Sequence, residues 1–146
     1  MDKSDLKINK KAYEYLYILE NELRELIVKG LTEKSSENNF SGWITLIQRN
    51  IIQKWEKRKS EEDKNYQRIS SSKLIDYSEF GDIKLIIQKN WDEFSKIFTS
   101  QEIIASKLDE LEQIRNTIAH NRELSLQEFK RLEIYLSDIE KILSKK

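Results

Sequence analysis

The chain has 146 residues, no cysteine, no proline and only three glycines, and its 26 basic and 26 acidic residues give a formal net charge of zero. This length supports one domain with a single core, and the scarcity of helix-breaking residues predicts an all-α fold over residues 1–146. The lack of cysteine excludes disulfides and thiolate metal sites, and the balanced charge excludes a global attraction to nucleic acid. A charged N-terminus and the lack of a long apolar run predict a cytoplasmic protein that binds no membrane.

Apolar residues recur at every third or fourth position, which is the pattern of amphipathic helices. The first predicted helix runs from about Asn9 to Gly30, with Gly30 as its stop. The second starts at Ser41 and is expected to place four residues on one buried stripe, namely Trp43, Ile47, Ile51 and Trp55. From Lys59 to Ser72 the periodicity disappears, which predicts a mobile connection within the domain.

In the C-terminal half, three further helices are predicted. The third follows Asp76, with Glu79 in a capping arrangement, and is interrupted near Trp91. Ser/Thr-x-x-Glu segments at Thr99 and Ser125 predict capping boxes for the fourth and fifth helices. The fourth carries the buried stripe Leu108, Leu111, Ile114 and Ile118, and the fifth carries Phe129, Leu132, Leu136, Ile139 and Leu143. The expected architecture is a four- to five-helix bundle.

The chain's only histidine, His120, lies in the run 114–122 near the end of the predicted fourth helix. With Arg115 and Asn116 it brings together an imidazole, a guanidinium and an amide, all suited to handling phosphate. On a helix His120 projects nearly opposite the apolar stripe and lies about 140° from Arg115, so the two frame a cleft only if another surface closes over that face. A partner subunit would supply that surface. The plainer alternatives are a solvated histidine and an Arg115 that only pairs with Glu112.

The strongest local positive charge is a cluster of Lys54, Lys57, Arg58 and Lys59. These side chains could follow a phosphate backbone, but they also suit the last turn of a helix, where cations complement the dipole, and the second interpretation is favoured. One histidine without cysteine makes a zinc site improbable, and no glycine-rich loop or nucleophile elbow is present. We therefore expect neither a metal nor a cofactor.

The run from Arg115 to His120 resembles the Arg-x4-His motif of the HEPN superfamily, in the form with a polar residue directly after the arginine. Residues 74–82, 91–98 and 108–111 are similar to the Swt-type HEPN subgroup. The resemblance covers about residues 74–140, whereas the first 70 residues match only in being helical.

This resemblance implies a metal-independent endoribonuclease that acts as a homodimer, with two motifs facing each other and Arg115, Asn116 and His120 forming the catalytic site. RNA is then the substrate. Arg122, and the cluster of Lys54, Lys57, Arg58 and Lys59 on the less favoured interpretation of its charge, are the further candidates for contact with RNA. The resemblance is compatible with a toxin or phage-defence effector and with a neutralising antitoxin or regulatory protein. Related toxins often carry a modifiable tyrosine two residues after the histidine, where this chain has Arg122. The alternative is a non-catalytic dimerisation or RNA-binding module.

Overall fold

The computed structural model describes residues 3–38, 42–65 and 73–144, and these ranges contain helices and no strands. Within these ranges six α-helices are present: α1 (Lys3–Glu37), α2 (Arg49–Asn65), α3 (Phe80–Lys89), α4 (Trp91–Phe94), α5 (Gln101–Ala119) and α6 (Leu126–Ser144). Two 3-10 turns, Trp43–Leu46 and Leu74–Tyr77, precede α2 and α3. The predicted all-α bundle is confirmed.

Helix α1 is the central element, because it contacts α3, α4, α5, α6 and both 3-10 turns. Its buried face includes Leu16, Leu19, Leu23, Leu26 and Ile27, at the spacing expected of one helical stripe.

The prediction that Gly30 stops α1 is wrong, since the helix continues to Glu37. A Cβ atom at Gly30 would lie 2.7 Å from the ring of the buried Phe94, so the glycine gives this ring room to pack.

The second predicted helix begins later and ends later than its sequence pattern indicates. Ser41 lies outside the described residues, Trp43 belongs to a 3-10 turn, and the extended backbone of Ile47 separates that turn from α2. Helix α2 then runs to Asn65, whereas the sequence predicts a mobile connection from Lys59 onward. That prediction is therefore wrong for residues 59–65. The last turns of α2 are largely exposed and therefore need no apolar periodicity. The remainder of that connection, residues 66–72, lies outside the described residues.

The predicted third helix is divided at Asn90, which confirms the interruption and places it one residue before Trp91. The Asn90 amide is buried and donates to the carbonyls of Leu46 and Ile86, at 3.2 and 3.0 Å. Helix α3 starts at Phe80 because Leu74–Tyr77 forms a 3-10 turn. The predicted start after Asp76 is therefore wrong.

The caps of α5 and α6 fix the two helices around the motif. Ser100, not Thr99, caps α5, and its hydroxyl accepts from the amide of Ile103. The predicted Ser125 capping box is confirmed: Ser125 and Glu128 exchange two hydrogen bonds, each of 3.1 Å.

A buried carboxylate, Asp82, joins α2 to the start of α3. Its side chain is 3% exposed and accepts from Lys54 at 2.8 Å and from the Trp55 indole at 3.0 Å. It also accepts from the Glu79 amide at 3.0 Å and pairs with Arg58 at 3.3 Å. This arrangement satisfies a charge that would otherwise be costly to bury.

Replacing Asp82 with asparagine is expected to lower the free energy of unfolding by about 2 kcal/mol, because charge-assisted hydrogen bonds are lost. Burial alone would raise the pKa of Asp82, but hydrogen bonds from Lys54 and Trp55 outweigh it and lower the pKa below its ordinary 3.8. The stabilisation is therefore complete above the unfolded-state pKa and is lost as the pH falls toward the folded-state value. Urea unfolding should show a gap between wild type and Asp82→Asn that narrows below about pH 4.

Asp92 provides the matched control, because it also pairs with a lysine at 2.8 Å but its side chain is 68% exposed. Asp92→Asn should cost less than about 1 kcal/mol. Equal losses for the two variants, or a gap for Asp82→Asn that stays constant with pH, would contradict this account.

Candidate active site

The motif ends at the C-terminus of α5, which is capped by backbone hydrogen bonds. His120 is the C-cap of α5, and Asn121 follows in the left-handed region with φ 56°. The Asn121 amide donates to the Ile118 carbonyl at 3.0 Å, and the Arg122 amide donates to the Thr117 carbonyl at 2.9 Å. This pair of bonds is a Schellman motif, in which asparagine tolerates the positive φ. The backbone that carries His120 is therefore fixed by local hydrogen bonds.

A buried side chain on α1 holds the segment that follows His120. The Asn9 amide nitrogen donates to the Arg122 carbonyl at 2.8 Å, and the Asn9 oxygen accepts from the Leu124 amide at 3.2 Å. Asn9 is 8% exposed and Leu124 is 3% exposed, so these bonds lie in the interior. We call this arrangement the Asn9 clamp. It ties the C-cap of α5 to a helix more than a hundred residues away.

Arg115 is oriented by an ion pair with α1. Its Nε lies 3.0 Å from Oε1 of Glu20, whose Oε2 lies 3.3 Å from a guanidinium nitrogen of Arg24. Arg24 is anchored in turn on the hydroxyl and carbonyl of Ser78. Burial raises the pKa of Glu20, and the two arginines act in the opposite direction. The Glu20 carboxylate thus lies between two cations and fixes one edge of the Arg115 guanidinium.

Glu112 is held elsewhere, although the sequence suggests it as a partner for Arg115. Its Oε2 accepts from the Gly81 amide at 3.2 Å, at the start of α3. Burial and the nearby Glu79 carboxylate raise the pKa of Glu112, while the Gly81 hydrogen bond and Arg115 lower it. Arg115 therefore pairs with Glu20 of α1 and not with Glu112, the partner that the sequence suggests.

His120 and Asn116 are exposed, whereas Arg115 is about two-fifths exposed against α1. The His120 and Asn116 side chains form no hydrogen bond within the described residues. His120 lies about 140° around the helix from Arg115 and about 7.5 Å further along it. A single chain therefore directs the two side chains to different sides of α5.

The basic side chains expected to contact RNA are distributed over two elements. Arg122 is exposed at the motif. Lys54 and Arg58 lie on α2 and are committed to Asp82, and Arg58 also pairs with Glu79 at 3.1 Å. Lys57 is exposed and Lys59 is half-buried. Two of the four cluster members therefore have structural contacts with the start of α3.

Two residues that organise the site, Asn9 and Glu20, were not identified from the sequence. Both lie on the buried or half-buried side of α1. A polar residue in the apolar stripe of a predicted helix is the only signal that could have marked Asn9. Nothing in the local pattern distinguishes Glu20 from the other acidic residues of that helix.

Within residues 3–38, 42–65 and 73–144, no helix combines the length and the low charge that a membrane span needs. In the same ranges, no three acidic, histidine or cysteine side chains form a group able to hold a metal ion.

Comparison with known families agrees with this fold. The sequence model of the family described as Swt1-like HEPN matches residues 14–144, and the chain belongs to this family. The match extends upstream of residues 74–140 and takes in most of α1, including Glu20. Membership suggests an RNase-like or nucleotide-binding function, and HEPN domains often bind RNA and dimerise. No curated protein and no solved structure shows a significant match to the chain.

Removal of the Asn9 clamp should loosen the segment after His120. We expect Asn9→Ala to accelerate amide hydrogen exchange in residues 119–126 and to lower the free energy of unfolding by about 2 kcal/mol, because buried groups lose their partners. Exchange followed by mass spectrometry would measure the change. Asn90→Ala is the matched control, since it removes another buried amide and should leave exchange at 119–126 unchanged. Equal acceleration in both variants would contradict a specific role for the clamp.

Proposed function

We propose that this protein is a metal-independent endoribonuclease whose composite active site forms between two copies of the chain. The observation that carries the proposal is the arrangement on α5: an Arg115 oriented by Glu20 and an exposed His120 on the tightly closed C-cap of the same helix. Membership of a family whose domains are often RNases adds support. A role as a toxin or phage-defence effector, neutralised by a partner protein, is compatible with this activity.

In the proposed reaction, the 2'-hydroxyl oxygen of the RNA attacks the adjacent phosphorus. A neutral His120 accepts the hydroxyl proton as the new O–P bond forms. The bond from phosphorus to the 5'-oxygen breaks, and a protonated His120 of the partner subunit donates a proton to that oxygen. Arg115 stabilises the negative charge that develops on the phosphoryl oxygens. The products are a 2',3'-cyclic phosphate and a 5'-hydroxyl.

The need for two imidazoles favours a dimer, because each chain has one histidine. The divergence of Arg115 and His120 around α5 also favours a dimer. A second copy facing this helix would supply the imidazole or the guanidinium that one chain directs to the other side. Asn116 is exposed between them along the helix, and its proposed role is to orient His120 or the phosphate, or to contact the partner. The proposed role of the exposed Arg122 is to contact the RNA backbone.

Substitution of His120 or Arg115 by alanine is expected to reduce RNA cleavage at least a hundredfold, because each change removes a group that acts in the transition state. Cleavage of single-stranded RNA in EDTA, followed on denaturing gels with analysis of the cyclic phosphate ends, would measure this. Arg131→Ala is the matched control: Arg131 also pairs with a glutamate of the bundle, at 2.9 Å, but lies outside the motif. Magnesium-dependent cleavage, or full activity of His120→Ala, would overturn the assignment.

The pH dependence separates the enzyme from the alternative of a binding module. A mechanism with one neutral and one protonated imidazole requires a cleavage rate that passes through a maximum and falls on both sides. A module that only holds RNA has no such requirement, and its affinity falls steadily with added salt. Firm binding without cleavage at any pH would favour the module.

Because the proposed active site is shared by two chains, an inactive chain should inactivate the dimer that it joins. When wild type and His120→Ala are mixed in equal amounts and allowed to exchange subunits, only about one quarter of the dimers retain two histidines. The cleavage rate should therefore fall to about one quarter of the value for the same total amount of wild type. Sedimentation should show dimers at micromolar concentration. A rate of one half, or a protein that sediments only as a monomer, would contradict the shared site.

A further inference from the structure

We propose that Tyr13 and Tyr17 form a platform on which a base of single-stranded RNA stacks beside Arg115. This inference rests on the proposed function and adds a substrate-binding surface to it. The two tyrosines lie four residues apart on α1, hence on one side of the helix with their Cβ atoms about 5–6 Å apart. Each is 63% exposed, which exceeds the intermediate exposure typical of tyrosine.

Tyr15, between them in the sequence, shows what a structural tyrosine does on the same helix. Its ring stacks on Phe129 of α6, with the ring centroids 5.7 Å apart. Tyr13 and Tyr17 face α5 instead and line a small cleft. Packing of α1 against α6 therefore accounts for Tyr15 and leaves Tyr13 and Tyr17 available to a ligand.

The size of the cleft favours a single ring system. Its volume is about 180 Å³, below the roughly 300 Å³ at which pockets for drug-sized ligands begin. Both helices contribute apolar lining, Leu16 from α1 and Ile118 and Ala119 from α5. The remaining lining residues are Tyr13, Tyr17, Glu20 and Arg115.

The guanidinium group at the cleft favours a nucleotide over an uncharged ring. Arg115 lines the cleft and pairs with Glu20, whose carboxylate also binds Arg24, so two guanidinium groups share one carboxylate. The Arg115 end of the cleft adjoins the proposed site of phosphate binding. An aromatic platform followed by a guanidinium matches a base followed by its phosphate, which is how proteins bind single strands without reading sequence.

The platform can be tested by binding, without any cleavage. In a His120→Ala background, we would measure by fluorescence anisotropy the affinity for a labelled ten-nucleotide single-stranded RNA and for an abasic ribose-phosphate strand of the same length. Tyr13→Ala and Tyr17→Ala should each weaken RNA binding about tenfold and leave the abasic strand unaffected. Tyr→Phe at either position should bind as the parent does, and Tyr→Leu should bind as alanine does, because stacking needs a ring.

Ile134→Ala is the control, since Ile134 is a 57% exposed apolar residue of α6, and this change should have no effect. Unchanged RNA affinity in the alanine variants, or an equal loss for the abasic strand, would overturn the platform. Loss of the dimer in the same variants, measured by sedimentation, would show instead that the tyrosines contact a second copy. A wild-type protein that does not cleave RNA would contradict the proposed function, yet the affinity measurements would still decide the role of the tyrosines.

Discussion

Burial of one face of α1 is the constraint on which the rest of this structure depends. Helices α3, α4, α5 and α6 and both 3-10 turns contact this helix, and its leucine and isoleucine side chains form the centre of the core. The same helix carries Asn9 and Glu20, which hold the two ends of the motif. A slip of one helical turn between α1 and α5 would shift these partners by about 5.4 Å and break both contacts. The packing of the core therefore sets the position of the chemical groups.

The electrostatics of the site follow from this arrangement. Arg115 shares Glu20 with Arg24, so its guanidinium is held at one edge, and in the proposed mechanism the other edge binds the phosphate. A cation fixed before the substrate arrives needs little reorganisation when charge develops on a phosphate. His120 is ordered differently, through the backbone: a Schellman motif closes its helix and the Asn9 clamp holds the following residues. The backbone position of His120 is thus fixed, although its exposed imidazole has no hydrogen-bond partner among residues 3–38, 42–65 and 73–144.

Tyrosines on different faces of α1 have different environments, one packed in the bundle and two exposed. Tyr15 stacks on Phe129 while Tyr13 and Tyr17 remain exposed, because residues two apart on a helix point in different directions. The exposed tyrosines adjoin the same α5 surface that carries Arg115. In the proposed nuclease, the packed scaffold lies on one side of α1 and the proposed surface for single-stranded RNA lies on another.

The sequence by itself determined the helical class, the Ser125 capping box, the buried stripe of α6 and the location of the motif near the end of α5. These features depend on spacing within a few residues, which periodicity and capping rules describe directly. The tertiary structure alone decided that Gly30 lies inside α1, that α2 continues to Asn65, and that Lys54 and Arg58 bind Asp82. It also decided that Glu20 holds Arg115 and that Asn9 holds the segment after His120. Those contacts join residues far apart in the chain, and local patterns carry no information about which distant helix will supply a partner.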